Sequence, residues 1–496
     1  MPTPTRARGL IARVHQVQRY SISFMMLVCA LLSGCYESEQ DRSEVIPLAA
    51  GSSGLSSEEL LKPASCEGCH PDQHAEWAAS VHANAADDPV FRALNTLGQR
   101  ETAGALGDFC VRCHAPLAVE LGETTDGLNL DTLPSHLRGV TCVFCHQVSA
   151  VEGLHNNPLV WTPDGVMRGG LKDPQENRAH PSKYSPLLDG DSHESSDLCG
   201  SCHDIVTPTN IHLERTYWEW TQSIFGAQTQ VNQTSCSACH MPPRGREVGG
   251  DQKRSHDHLS PGVDLSTQQT ADQKLFERQG RTLRSAIEAE LNTSLLSEVC
   301  AEVGPQGGAD LELYIENIGA GHRFPSGAAL DRRLWFEVTA LNAEGDILFQ
   351  SGRAEEGIPV VELAARDASL WLLRDRALDE RGMETHRFWE IMSVERGSLP
   401  ALSLQSSRDE GYEEPHVLRR YRFGTSEAVA YVEVRAWMRP IGLELLYELV
   451  ELGLLEAKFV QSQPTYELSS VTRTWAAQEA IPRITLSGRR LLCTPF

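Results

Sequence analysis

The sequence predicts a multidomain chain: a mainly α-helical but irregular first half, a helical connector, and a C-terminal β-sandwich-like domain. Three observations carry this. The chain has 496 residues, room for two or three domains. Its first half holds five Cys-x-x-Cys-His pentads among short helical stretches rich in Pro, Gly and Asp, with little continuous apolar periodicity. After Gly304-Pro305-Gln306-Gly307-Gly308 the pattern changes to short period-two runs separated by tight turns.

At the N-terminus, Arg6, Arg8, Arg13 and Arg19 form a basic region before an apolar stretch at 22–32. That stretch is too short to span a bilayer comfortably, so residues 1–34 read as a signal peptide. The segment ends Leu32-Ser33-Gly34-Cys35, which is similar to a bacterial lipobox. Cys35 is then expected to be lipidated and to become the mature N-terminus. An ordinary secretory signal or an uncleaved anchor is the plainer alternative. Residues 35–61 are polar and acidic, and read as a flexible tether. The expected location is the periplasmic side of a bacterial membrane. Tyr36, in place of Asp after the lipidated cysteine, leans toward the outer membrane.

The formal charge is −23, and cleavage before Cys35 removes four arginines and no acid. An acidic balance argues against nucleic acid, whose phosphates need Lys and Arg. It fits redox partner proteins with a basic docking face, or simply a solvated acidic surface.

Ten of the 14 cysteines lie in the pentads. These are Cys66-Glu67-Gly68-Cys69-His70, Cys110-Val111-Arg112-Cys113-His114, Cys142-Val143-Phe144-Cys145-His146, Cys199-Gly200-Ser201-Cys202-His203 and Cys236-Ser237-Ala238-Cys239-His240. The spacing is that of c-type haem attachment. Two sulfurs three residues apart reach the two vinyl groups on one porphyrin edge, and the next residue, His, swings under the ring to give the iron its proximal nitrogen. One pentad could be a redox dithiol or half a metal site; five predict five covalently bound haem c groups. Residues 62–265 therefore read as a pentahaem domain in which the macrocycles supply the apolar bulk, with no independent core in the apo state.

A pure electron carrier needs a second axial ligand on each iron, whereas an open sixth position admits substrate. Outside the pentads, residues 62–265 offer His74, His82, His136, His155, His180, His193, His212, His256 and His258, with Met167 and Met241 the only methionines. The run from Cys66 to His82, ending Glu76-Trp77-Ala78-Ala79-Ser80-Val81-His82, resembles the opening of the cytochrome c-554 and hydroxylamine-oxidoreductase-related multihaem cytochromes. So do Ser196-Asp197-Leu198, the run Glu214-Arg215-Thr216-Tyr217-Trp218-Glu219-Trp220-Thr221-Gln222-Ser223, and Met241-Pro242. The resemblance spans about 62–265. It implies that His82, His180 and His258 are distal ligands, with His256 competing two residues away. His136 and His193 remain available for a fifth iron.

Residues 266–304 read as the helical connector, most clearly at 273–287. In the β-rich domain, 305–496, strands are expected at 311–316, 334–341, 347–349, 421–423 and 429–437, with a helix at 442–455. The run Asn317-Ile318-Gly319-Ala320-Gly321-His322-Arg323-Phe324-Pro325-Ser326-Gly327 resembles the Gly-His-x-x-Pro-Thr-Gly loop of related multihaem cytochromes, with Ser326 where Thr is usual. It implies that His322 is a distal ligand supplied by the second domain; alternatively, His322 only holds the turn. Cys300 and Cys493 flank this domain and, in an oxidising compartment, are expected to pair as a disulfide. His386 and His416 read as surface residues.

The function expected from these features is electron transfer by a lipid-anchored pentahaem cytochrome. One alternative is an oxidoreductase with a five-coordinate haem acting on a small nitrogen or sulfur compound. Another makes the β domain chiefly a docking module.

Overall fold

The computed structural model describes residues 54–227, 234–247, 254–265, 273–303, 309–485 and 488–495. The signal segment, Cys35, most of the tether and the 304–308 turn lie outside the described residues. The end of the predicted tether belongs to the fold. Ser57–Leu60 is a helical turn closed by a capping box between Ser56 and Glu59. Leu60 is buried, and the Leu55 N–H donates to the Ala179 carbonyl at 2.9 Å.

The first half consists of short helices and two-stranded ribbons. Helix α1 (Pro71–Ala79) starts on a proline, whose missing N–H costs nothing in a first turn. Helix α2 (Pro89–Glu101) does the same and is capped by Asp88, which accepts from the Val90 and Phe91 N–H groups. Helix α3 (Thr216–Gln222) precedes the fifth pentad. The first half also contains an apolar cluster of its own. Leu60, Phe91, Val111, Leu117, Leu130 and Val143 are among the members of a buried apolar cluster. Each comes from a different short segment, and Val111 and Val143 lie inside pentads, so no periodic signal announces them.

The predicted connector also ends earlier than expected. Helix α4 (Gln273–Ser294) runs directly into strand β1 (Leu295–Val303). Leu, Glu and Ala favour a helix here, and no Gly or Pro marks the switch. The sheet overrides that local preference. Leu283, Ile287 and Leu291 of α4 and Leu295, Val299 and Ala301 of β1 enter one core.

Strand β2 (Ala309–Asn317) pairs antiparallel with β1, followed by β3 (Arg333–Leu341), β4 (Ile347–Ser351), β5 (Trp371–Leu373), β6 (His416–Phe423) and β7 (Tyr431–Arg439). Helix α5 (Leu443–Glu451) and strands β8 (Tyr466–Glu467), β9 (Arg473–Ala476), β10 (Ile481–Ile484) and β11 (Arg490–Cys493) complete the chain. One sheet runs β6-β2-β1-β11-β10 and the other β4-β3-β7-β8, with β5 on β3 and β9 on β7. Leu311, Leu313 and Ile315 from one sheet and Leu334, Phe336, Val338, Val432, Val434 and Ala436 from the other share a single core. Alternate residues point inward, as a half-buried sheet requires. Cys300 on β1 and Cys493 on β11 are register partners joined by a disulfide with an S–S distance of 2.08 Å.

The first half packs on this region. Val90, Ala93 and Leu97 of α2 bury against Leu443, Leu445, Leu446 and Leu449 of α5. Arg332 holds Asp264 with two hydrogen bonds of 2.7 and 2.8 Å. His386, read as a surface residue, is instead largely buried with Nδ1 2.5 Å from an Asp331 carboxylate oxygen. Burial disfavours its charged form, but Asp331 outweighs that and raises its pKa.

Candidate metal centres

Each pentad forms about one helical turn. The His70, His114 and His203 N–H groups donate to the carbonyls of Cys66, Cys110 and Cys199. Cys142–His146 and Cys236–His240 are short helices. Helical spacing puts residues three and four apart on one face, so both sulfurs and the histidine emerge together. The ten pentad cysteines form no disulfide. Across pentads, Cys66 lies beside Cys142, Cys113 beside Cys202 and Cys199 beside Cys236. The five attachment points are therefore packed against one another rather than dispersed.

The histidines fall into pairs. His70 and His180 have ring centres 6.4 Å apart with planes at 26°. His82 and His203 are 6.1 Å apart at 76°. His240 and His322 are 6.4 Å apart at 11°. Imidazole nitrogens bind first-row metals at about 2 Å, so two imidazoles on opposite sides of one ion have ring centres about 6 Å apart. These three pairs fit an iron between them, and each joins a pentad histidine to one of the sequence-nominated distal residues.

The remaining chemistry of these rings agrees. A metal-binding histidine must be neutral, with its other nitrogen oriented by an acceptor. Nδ1 contacts a backbone carbonyl in His114 (Ala85, 3.0 Å), His146 (Arg168, 2.6 Å), His240 (Pro261, 2.8 Å), His258 (His256, 3.1 Å) and His322 (Arg323, 2.8 Å), which leaves Nε2 available. Burial pushes His146, His203 and His322 down to about 4, and His258 to about 3, so they stay uncharged near neutrality. His240 is the exception. Burial again disfavours its charge, but Glu290 of α4, 3.2 Å from Nδ1, outweighs it and takes the ring up to about 9.

His146 lies within electrostatic reach of both His256 and His258, whose rings stack at 4.3 Å. His114 is different. The ring packed on it is Phe91, 4.0 Å away at 6°, and no paired histidine ring faces it among the described residues. Both spare candidates are engaged elsewhere. His136 sits near Lys62 and Glu58, and His193 packs on Trp220 with Nε2 already 3.3 Å from the Gly226 carbonyl.

Sequence reasoning missed the carboxylate and the hydroxyl that hold the His322 loop. Glu219 on α3 is buried and accepts from the Arg323 N–H (3.2 Å) and from Ser326 Oγ (2.6 Å). The contact uses a hydroxyl, which Ser and Thr share, so the serine at this loop position keeps it. Thr216 Oγ1 accepts the Gly327 N–H at 3.0 Å.

Residues 65–147 match the family model "Cytochrome c554 and c-prime". The fold is similar to that of a penta-heme cytochrome c552 from Thermochromatium tepidum, with a TM-score of 0.58 and 19% identity over 85% of this chain and 98% of that one. None of the curated proteins matches. Haem attachment motifs, histidine pairs spaced for an iron, and these two likenesses point the same way: the chain is similar to multihaem c-type cytochromes.

Proposed function

We propose that this chain is an exported pentahaem cytochrome that passes electrons between membrane-associated or periplasmic redox partners, held at the membrane by a lipid on Cys35. The observation that carries the electron-carrier reading is the pairing of pentad histidines with histidines distant in sequence. Haem c, when bound, supplies a reversible one-electron iron couple. The chain's part is to hold that couple rigidly. Cys66, Cys69, Cys110, Cys113, Cys142, Cys145, Cys199, Cys202, Cys236 and Cys239 would carry the thioether bonds. His70, His114, His146, His203 and His240 would be the proximal ligands, with His82, His180, His258 and His322 distal. Packed backbone carbonyls fix the tautomers of His114, His146, His240, His258 and His322, and burial keeps His146, His203, His258 and His322 neutral.

The near-perpendicular rings of His82 and His203 leave the d orbitals of an iron between them nearly degenerate. The expected EPR spectrum of the oxidised protein therefore contains one strongly anisotropic low-spin signal that disappears in His82→Ala. Loss of a rhombic signal instead would contradict that pairing.

The surplus of acidic over basic residues supports docking to a basic partner face. Association with a cationic redox partner, measured by surface plasmon resonance, is expected to weaken steadily from 0.01 to about 0.5 M salt. A salt-independent affinity would rule out electrostatic docking. Lipidation is tested by mass spectrometry of the purified N-terminus, where Cys35→Ser should abolish a diacylglyceryl adduct. The alternative, an oxidoreductase, rests on His114. If the iron there has no second ligand, carbon monoxide will bind to one reduced haem of the wild-type protein.

A further inference from the structure

Two stretches of the first half share residues and geometry. Glu76-Trp77-Ala78-Ala79-Ser80 ends α1, and Glu219-Trp220-Thr221-Gln222-Ser223 ends α3. Both helices stop on the serine, which turns to extended dihedrals and bonds its own N–H and Oγ to the tryptophan carbonyl. An aromatic ring three residues before each tryptophan leans on the indole: His74 at 5.7 Å and Tyr217 at 5.8 Å.

The outward contacts repeat as well. The Trp77 indole donates to the Val140 carbonyl at 2.8 Å, two residues before Cys142. The Trp220 indole donates to the Thr234 carbonyl at 2.9 Å, two residues before Cys236. Each glutamate is buried and accepts a backbone N–H from a segment bearing a candidate distal histidine. Glu76 takes the N–H of His258 itself at 3.0 Å. Glu219 takes the N–H of Arg323, next to His322, at 3.2 Å. The copies part after the serine. His82 follows in the first, whereas Phe225 stands at that place in the second and packs near Gly321.

One helix end thus grips both sides of one metal position. The indole fixes the backbone leading into a pentad, and the carboxylate fixes the backbone carrying the opposing imidazole. In the second copy the two imidazoles, His240 and His322, are already paired at 6.4 Å. We propose that Glu76 and Glu219 are positioning residues of a duplicated clamp, and that Glu76 assigns His258, rather than His256, to the iron held by His146. A glutamate that merely satisfied a buried N–H would not recur with the same indole contact two residues before a pentad. The inference rests on the haem-ligand reading above.

The test uses the full-length holoprotein. Pyridine haemochrome first counts haems in the wild type; fewer than five would count against the pentahaem reading itself, separately from the clamp. Low-temperature EPR then compares variants. Glu76→Ala is expected to turn the same single iron high-spin as His258→Ala, and Glu219→Ala the same iron as His322→Ala. Glu76→Gln and Glu219→Gln keep an acceptor oxygen and should keep the wild-type spectrum. His256→Ala should leave the wild-type spectrum unchanged. A wild-type spectrum for Glu76→Ala overturns the clamp, and loss of a ligand in His256→Ala but not His258→Ala overturns the assignment. If Glu76→Ala fails to fold, the His256 and His258 variants and the Glu219 pair decide it.

Discussion

Replacing His322 with alanine is expected to convert one iron, the one held by His240, from low-spin to high-spin and to leave the others unchanged. The loop around His322 is anchored without its imidazole. Asn317 Nδ2 donates to the His322 carbonyl at 2.8 Å, Arg323 bonds Ser398 Oγ at 2.9 Å and Glu413 at 2.6 Å, and Ser326 bonds Glu219. The loop should therefore stay in place while the ligand is lost. Removing one imidazole leaves an open axial position and raises that haem's potential, because the ferric state loses a basic donor. Spectroelectrochemistry should show one of the redox steps displaced upward, and the reduced variant should bind one more carbon monoxide than the wild type. An unchanged spectrum would mean that His322 serves only the turn.

The second large effect is expected at the far end of the β-rich region. Cys300 and Cys493 are 193 residues apart in sequence, and β11 meets β1 through the register pairs Leu492 with Ala301 and Cys493 with Cys300, followed by the Thr494 N–H donating to the Val299 carbonyl at 2.8 Å. Under the chain-entropy model, a crosslink closing so long a loop stabilises the folded state by about 5 kcal/mol. The double variant Cys300→Ala, Cys493→Ala is expected to lose most of this. It should move the denaturation midpoint of the β-rich region, followed by tryptophan fluorescence, while the Soret band at low denaturant stays as in the wild type. A midpoint that does not move would show that the antiparallel pairing and the core around Trp475 hold β11 unaided.

The attachment sites were legible because each is five contiguous residues whose spacing is dictated by the porphyrin edge. Their partners were harder to read. His180, His203 and His322 face His70, His82 and His240 across long stretches of chain, and no local pattern encodes which faces which. A resemblance to known cytochromes nominated His82, His180 and His322, and only packing brings each ring near a pentad histidine. The strands at 311–316, 334–341 and 429–437 were visible from alternation. The strand Leu295–Val303 was not, since it follows α4 directly with no Gly or Pro at the junction. His386 was misread because the carboxylate that draws it inward, Asp331, lies 55 residues away. The Glu-Trp-x-x-Ser repeat was present in the sequence, and its meaning lay in what each glutamate and indole touches.

The measurement that tests the central claim most directly is low-temperature EPR of the oxidised holoprotein, with haem content fixed by pyridine haemochrome. The account predicts five haems per chain and low-spin signals from at least four of the five irons, those facing His82, His180, His258 and His322. Fewer than five haems, or high-spin signal from two or more irons, would contradict it.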